Sequence, residues 1–428
     1  MRGIVPFNLT SRRCRKSLIE DRAKYLPPVL AAYQSFETPF IPQRFFMQYV
    51  TDEKGRRYID LDSNDSSITV GYCNPRVMKN VRRNMHFDTI QYNKKKLEAA
   101  TKLVSTLPKC DEDWVVHFVS SRMEALEVAI RMARSYTGCS DVLTLRNGRY
   151  QSVSSVKHSV KQVMNPNMYD GPLSKACANV TNEEMIDFYA NDVKETIQYE
   201  TSGYIAAFLF EQVQCEGGIH VLPDGYMKQV AKHVRKANGL IIADEDQSGF
   251  GRMGKGVFWS FEMYDQLSEF CPDIVITGKA LTNGFPIGAV MAKRSIAESI
   301  THKHFVNTYS GKHTVCSAAS AVLDIVHSHN HLKTVDNLGL KWSTGLRKLQ
   351  NSYPHIITDL RGSGLMQAIQ ITNHKTAQRM VEELRKRFII IALSGYNKDV
   401  LRIMPPMCIS RKDIAKTLDA LEDVCERV

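Results

Sequence analysis

Lys279 stands just past a short β-branched run, 273–277, which Gly278 breaks and the turn residues Thr282-Asn283-Gly284 follow. A lysine at the end of a buried strand can be a Schiff-base nucleophile, because burial favours its neutral amine. A second apolar run, 239–243, ends in the carboxylates Asp244, Glu245 and Asp246. A buried aspartate at a strand end can pair with a protonated pyridine nitrogen. The lysine and the first aspartate lie 35 residues apart, each where an open α/β sheet places its ligands. Together they point to pyridoxal phosphate (PLP) chemistry.

The wider stretches are specific. Asp244-Glu245-Asp246-Gln247-Ser248-Gly249-Phe250-Gly251-Arg252 and Gly278-Lys279-Ala280-Leu281-Thr282-Asn283-Gly284-Phe285-Pro286 resemble the signature of class III (fold type I) PLP aminotransferases. That signature runs close to D-E-V-Q-[TS]-G-F-G-R and G-K-x-x-G-N-G-x-P. The resemblance extends from about Arg15 to the C-terminus. Phe258-Trp259-Ser260-Phe261 and Arg402-Ile403-Met404-Pro405-Pro406-Met407-Cys408-Ile409 are similar to the mitochondrial-type alanine–glyoxylate subgroup.

The resemblance implies a homodimer that moves an amino group from a small, alanine-like amino acid to a glyoxylate- or pyruvate-like oxo acid. Lys279 would hold PLP and then move the proton as general acid and base. Asp244 would face the ring nitrogen and Gln247 the ring hydroxyl. Arg402 would grip the substrate α-carboxylate, with Glu211 as its gate. Thr308, within the stretch 305–311, would reach the phosphate of the neighbouring subunit's cofactor.

The chain departs from the family around the ring. The phosphate is expected where Ser121 and Glu124 form a capping box at the start of a helix running to about Tyr136. There the family pattern is close to N-S-G-S-E-A-N, and this chain has Arg122 and Met123 in place of glycine and serine. Arg122 either pairs with the phosphate or blocks the cradle, and a plain capped helix is the alternative. Asp246 replaces the valine that lies flat on the ring, giving up apolar contact worth about 1–3 kcal/mol. On the opposite face, an ungapped reading puts Arg149 at the aromatic position, and a one-residue slip puts Tyr150 there. An Arg149–Asp246 pair across the vacated ring space would plug the site. Asn64, Asp65, Tyr72 and Asn74 also differ from relatives at positions bordering the site. A catalytically impaired or inactive paralogue acting as a binding or scaffold subunit is therefore the alternative function. A phospho-lyase is a third.

The positioning elements follow from periodicity. Short apolar runs at 115–119, 141–145, 205–210, 240–243, 274–277 and 287–291 alternate with amphipathic stretches. One such stretch, 225–237, is expected to close on Gly239. The alternation predicts an α/β fold: a mostly parallel sheet flanked by helices, the fold type I PLP transferase. Residues 1–75 form an N-terminal segment with a hairpin turning on Lys54-Gly55, 76–325 the large PLP-binding domain, and 326–428 the C-terminal part of a small α+β domain. The segment 160–181 reads as a surface loop before a helix over 182–199.

The net charge of +11 is scattered, without a basic block interleaved with aromatics, so no nucleic-acid partner is expected. Ten cysteines without a C-x-x-C pair argue against a disulfide framework or a metal site. No apolar run approaches a membrane span. An arginine-rich, acid-free start through residue 19 leads us to expect the mitochondrial matrix rather than the cytosol.

Overall fold

The computed structural model of the chain describes residues 20–22, 24–25, 40–85, 93–109, 111–148, 150, 159–174, 180–264, 270–300, 307 and 309–428. It opens with a meander of β1 (Pro42–Phe46), β2 (Tyr49–Asp52) and β3 (Arg57–Asp60). The β2–β3 turn carries Gly55 at φ +78°, a left-handed conformation that costs glycine little.

The core is a seven-stranded sheet. Its strands are β4 (Trp114–Val119), β5 (Val142–Leu145), β6 (Val160–Val163), β7 (Ala207–Phe210), β10 (Leu240–Asp244), β11 (Ile274–Thr277) and β12 (Gly288–Lys293). A small two-stranded pair, β8 (Val213–Gln214) and β9 (His220–Val221), lies between β7 and β10 in the chain. The sheet order is β4-β12-β11-β10-β7-β5-β6, and β12 runs against both of its neighbours. All other pairings are parallel. Every residue of β5, β7, β10 and β11 is buried, as expected for parallel strands covered on both faces. Asp273 fastens three strands at one end of this sheet. Its carboxylate accepts from Ile241 N at 2.7 Å, Arg235 Nη1 at 2.5 Å and Lys293 Nζ at 3.0 Å.

Beyond the sheet, β13 (Ile357–Ser363), β14 (Met366–Ile371), β16 (Ala392–Ser394) and β17 (Val400–Ile403) form an antiparallel sheet packed on helices. β15 (Ile389–Ile390) joins the N-terminal meander beside β3, so the two ends of the chain share one sheet.

The expected strands are all present, with two local corrections. The segment after residue 160 is not wholly loop: β6 pairs in parallel with β5 as an edge strand. Its sequence, Val160-Lys161-Gln162-Val163, is too short and half-polar to announce itself, and the pairing makes it a strand. The helix Tyr226–Lys236 closes on Asn238 at φ +55°, not on Gly239. Gly239 serves close packing instead, since a Cβ there would lie 2.7 Å from Ile205.

Candidate active site

The carboxyl ends of five parallel strands converge on one cleft. β4 leads through Ser120-Ser121 into the helix Arg122–Thr137, β5 leads to Tyr150, and β7 leads to Glu211. β10 ends at Asp244, and β11 runs through Gly278 to Lys279. The loop after Lys279 is held against the N-terminal segment. Asn283, left-handed at φ +57°, accepts from Val70 N at 2.9 Å and donates to Gly71 O at 2.8 Å. Thr69 Oγ1 donates to Ala280 O at 2.6 Å.

At the centre lies a buried charge cluster. Arg122 Nε donates to Asp244 Oδ2 at 2.9 Å, and Nη2 bonds the same oxygen. Nη2 also reaches Glu211 Oε1 at 3.3 Å. The guanidinium carbon lies 5.6 Å from the centre of the Tyr150 ring. Arg122 is 8 % exposed, Glu211 7 % and Asp244 3 %. Burial opposes the arginine's charge, but Asp244, Glu211 and Asp246 outweigh it and hold the group above the ordinary arginine range. Burial, then the nearby carboxylates, raises the Tyr150 phenol well above its usual value. Asp246 packs on the lysine loop, where a Cβ added to Gly278 would lie 2.7 Å from Asp246 Oδ1 and 2.8 Å from Arg122 Cβ.

A second network adjoins it and centres on Asp65. This carboxylate pairs with Lys279 Nζ, accepts from Arg402 Nη1 at 3.0 Å and accepts from Gln247 Nε2 at 3.1 Å. Arg402 is held further by Asp62 at 2.5 Å and Glu216 at 3.3 Å. Four successive residues, Ser63 to Ser66, are left-handed, with φ from +48° to +59°. Each such non-glycine residue costs about 1–2 kcal/mol. Local bonds close the turn, since Asp62 Oδ2 accepts from Asp65 N at 2.9 Å and Ser67 Oγ donates to Asn64 O at 2.7 Å, and Ser63 Oγ ties it to the distant Met404 O at 2.6 Å. Within this turn one carboxylate, that of Asp65, meets two cations. Nearby, burial first and then Asp62 push Asp60 up to about 6, and Tyr72 donates to it at 2.8 Å.

The sequence matches the description "Aminotransferase class-III" over residues 32–425. The chain belongs to the class III aminotransferases. It is 33 % identical over 402 residues to "Alanine–glyoxylate aminotransferase 2 homolog 2, mitochondrial" of Arabidopsis thaliana, covering 88 % of this chain and 80 % of that one. It is 32 % identical over 423 residues to "Ethanolamine-phosphate phospho-lyase homolog 1" of Caenorhabditis elegans, covering 91 % and 89 %. Its fold matches a solved Arthrobacter phospholyase in complex with phosphoethanolamine at TM-score 0.85, with 25 % identity over 96 % of this chain and all of that one. These neighbours are fold type I PLP enzymes, and PLP is the cofactor that membership implies.

Lys279, Asp244, Gln247, Glu211 and Arg402, the residues expected from the resemblance, come together here, but their partners are not those the resemblance implies. Asp244 is taken by Arg122, and Glu211 meets Arg122 rather than Arg402. Tyr150, the residue that the one-residue slip puts at the aromatic position, is buried beside Arg122. In this arrangement the residues do not fit the cofactor ring, because its aspartate and its stacking face are already engaged. At the helix start Ser121 Oγ accepts from Glu124 N at 3.2 Å, but the Glu124 side chain caps Ser120 at 2.9 Å, so the expected reciprocal box is only half formed. Met123 receives a weak contact from Arg122 Nη1 at 3.8 Å. Arg149 and Thr308 lie outside the described residues. Sequence reasoning named Asp65 as a departure bordering the site, but not its pairing with Lys279 and Arg402.

Proposed function

We propose that this chain is an aminotransferase-fold protein whose transamination site is closed by its own side chains, and that it works as a binding or scaffold subunit. The observation that carries the reading is Asp65, one carboxylate joined to both Lys279 and Arg402. Transamination needs the lysine amine for the cofactor and the arginine for the substrate carboxylate. Here both cations are spent on each other's counter-ion. Relatives of this fold form dimers with shared sites, and we place this chain in a homodimer on that basis. The name of the Arabidopsis relative includes "mitochondrial" and supports a mitochondrial location for this chain.

A second reading keeps catalysis: transfer from an alanine-like donor to a glyoxylate- or pyruvate-like acceptor. It is favoured by the gathering of Lys279, Gln247 and Arg402 around Asp65, with Asp244 at the end of β10, and by the 33 % identity to an alanine–glyoxylate aminotransferase homologue. The test is purified protein with added PLP, alanine and glyoxylate or pyruvate, and separately phosphoethanolamine. The closed-site reading expects no turnover beyond that of Lys279→Ala. Turnover that Lys279→Ala abolishes would establish the second reading instead.

A further inference from the structure

We infer that Arg122 is the chain's own occupant of the cofactor ring's place, a guanidinium that stands in for the pyridinium and keeps the site shut against PLP. The inference deepens the closed-site reading and rests on it.

The two cations share a chemistry. Both are planar and delocalised, both donate an in-plane N–H to a carboxylate, and both offer a face to an aromatic ring. Arg122 uses all three properties. It donates to Asp244 through Nε at 2.9 Å and through Nη2, lies over Tyr150 at 5.6 Å, and reaches Glu211 at 3.3 Å through the same Nη2. A pyridinium at Asp244 would need that carboxylate and that face, so ring and guanidinium exclude one another.

The tether makes the occupant permanent. Arg122 is the first residue of its helix, next to the cap Ser121, and its Cβ abuts Gly278. Swinging out would leave Asp244 and Glu211 facing each other in a buried site without this cation. The family's glycine at this position has no side chain to insert. Lys279 is paired with Asp65 yet 27 % exposed, so that pair restrains the amine without filling the ring's place, which Arg122 fills.

The experiment is a PLP titration of wild type and Arg122→Gly. It is followed by visible absorbance, then by borohydride trapping with peptide mapping. Wild type should show no saturable binding and no label on Lys279. Arg122→Gly should gain a trapped adduct on Lys279, with affinity at least about 100-fold tighter than wild type. Guanidinium chloride at low millimolar concentration should compete with PLP in the variant and raise its melting temperature, and do neither in wild type. A folded glycine variant that binds PLP no better than wild type overturns the inference. If that variant does not fold, wild type alone decides: saturable micromolar PLP on Lys279 overturns it, and the lack of such binding supports it. An inactive wild type beside an unresponsive, folded variant removes the plug while leaving the closed-site reading intact. Wild-type transamination removes both.

Discussion

Replacing Arg122 by methionine removes the central cation but keeps a side chain of similar reach over Tyr150. Arg122 contacts Asp244 Oδ2 through Nε at 2.9 Å and through Nη2, and Glu211 through Nη2 at 3.3 Å. Hydrogen bonds to charged groups contribute about 1.5–3 kcal/mol each, and removing one partner of a buried ion pair costs about 3–5 kcal/mol. Asp244 is 3 % exposed, so water cannot take the arginine's place. Methionine offsets about 1 kcal/mol through sulfur–aromatic contact with Tyr150. The expected loss is therefore about 3 kcal/mol near neutral pH. Asp244→Asn in the same chain should recover about 1–2 kcal/mol, since the two sites are coupled. The assay is urea unfolding with linear extrapolation at about pH 5 and about pH 7.5, with m-values checked for constancy. A loss under about 1 kcal/mol at the higher pH, or strict additivity in the double variant, would refute the claim that these charges depend on one another.

Ser66→Gly should raise the unfolding midpoint, contributing about 1 kcal/mol, because it relieves a left-handed residue and removes a buried hydroxyl without a hydrogen-bond partner. A fall in midpoint would show that the turn needs that side chain. Asp65→Ala should speed borohydride-dependent labelling of Lys279 by a small aldehyde while costing only about 1–2 kcal/mol, since Arg402 keeps Asp62 and Glu216. Unchanged labelling would mean that Asp65 does not restrain the lysine. Glu245 is buried and pushed up to about 7, by burial first, while Ser260 and Phe261 bond it. A raised carboxyl contributes less stability as pH rises from its unfolded value toward 7. Glu245→Gln should therefore gain on wild type by up to about 3 kcal/mol across that window. A stability difference that does not change with pH would place the charge of Glu245 elsewhere.

Much of this protein was legible because strand ends are local. The apolar runs before Asp244 and Lys279 name their own strands, and the residues that follow them must sit at the sheet's carboxyl edge whatever the rest of the chain does. The loss of glycine at Arg122 was visible too, as was the choice between grasping a phosphate and blocking it. Which carboxylate that arginine meets was not visible. It depends on the strand order that sets β10 between β7 and β11, bringing Asp244 and Glu211 to one guanidinium from separations of 122 and 89 residues. The role of Asp65 was further from view. Its departure from relatives put it at the border of the site, but its partners lie 214, 337 and 182 residues away. A side chain's type and its place on an element are local properties, but its counter-ion is decided by which distant backbone the hydrophobic core brings within a few ångströms.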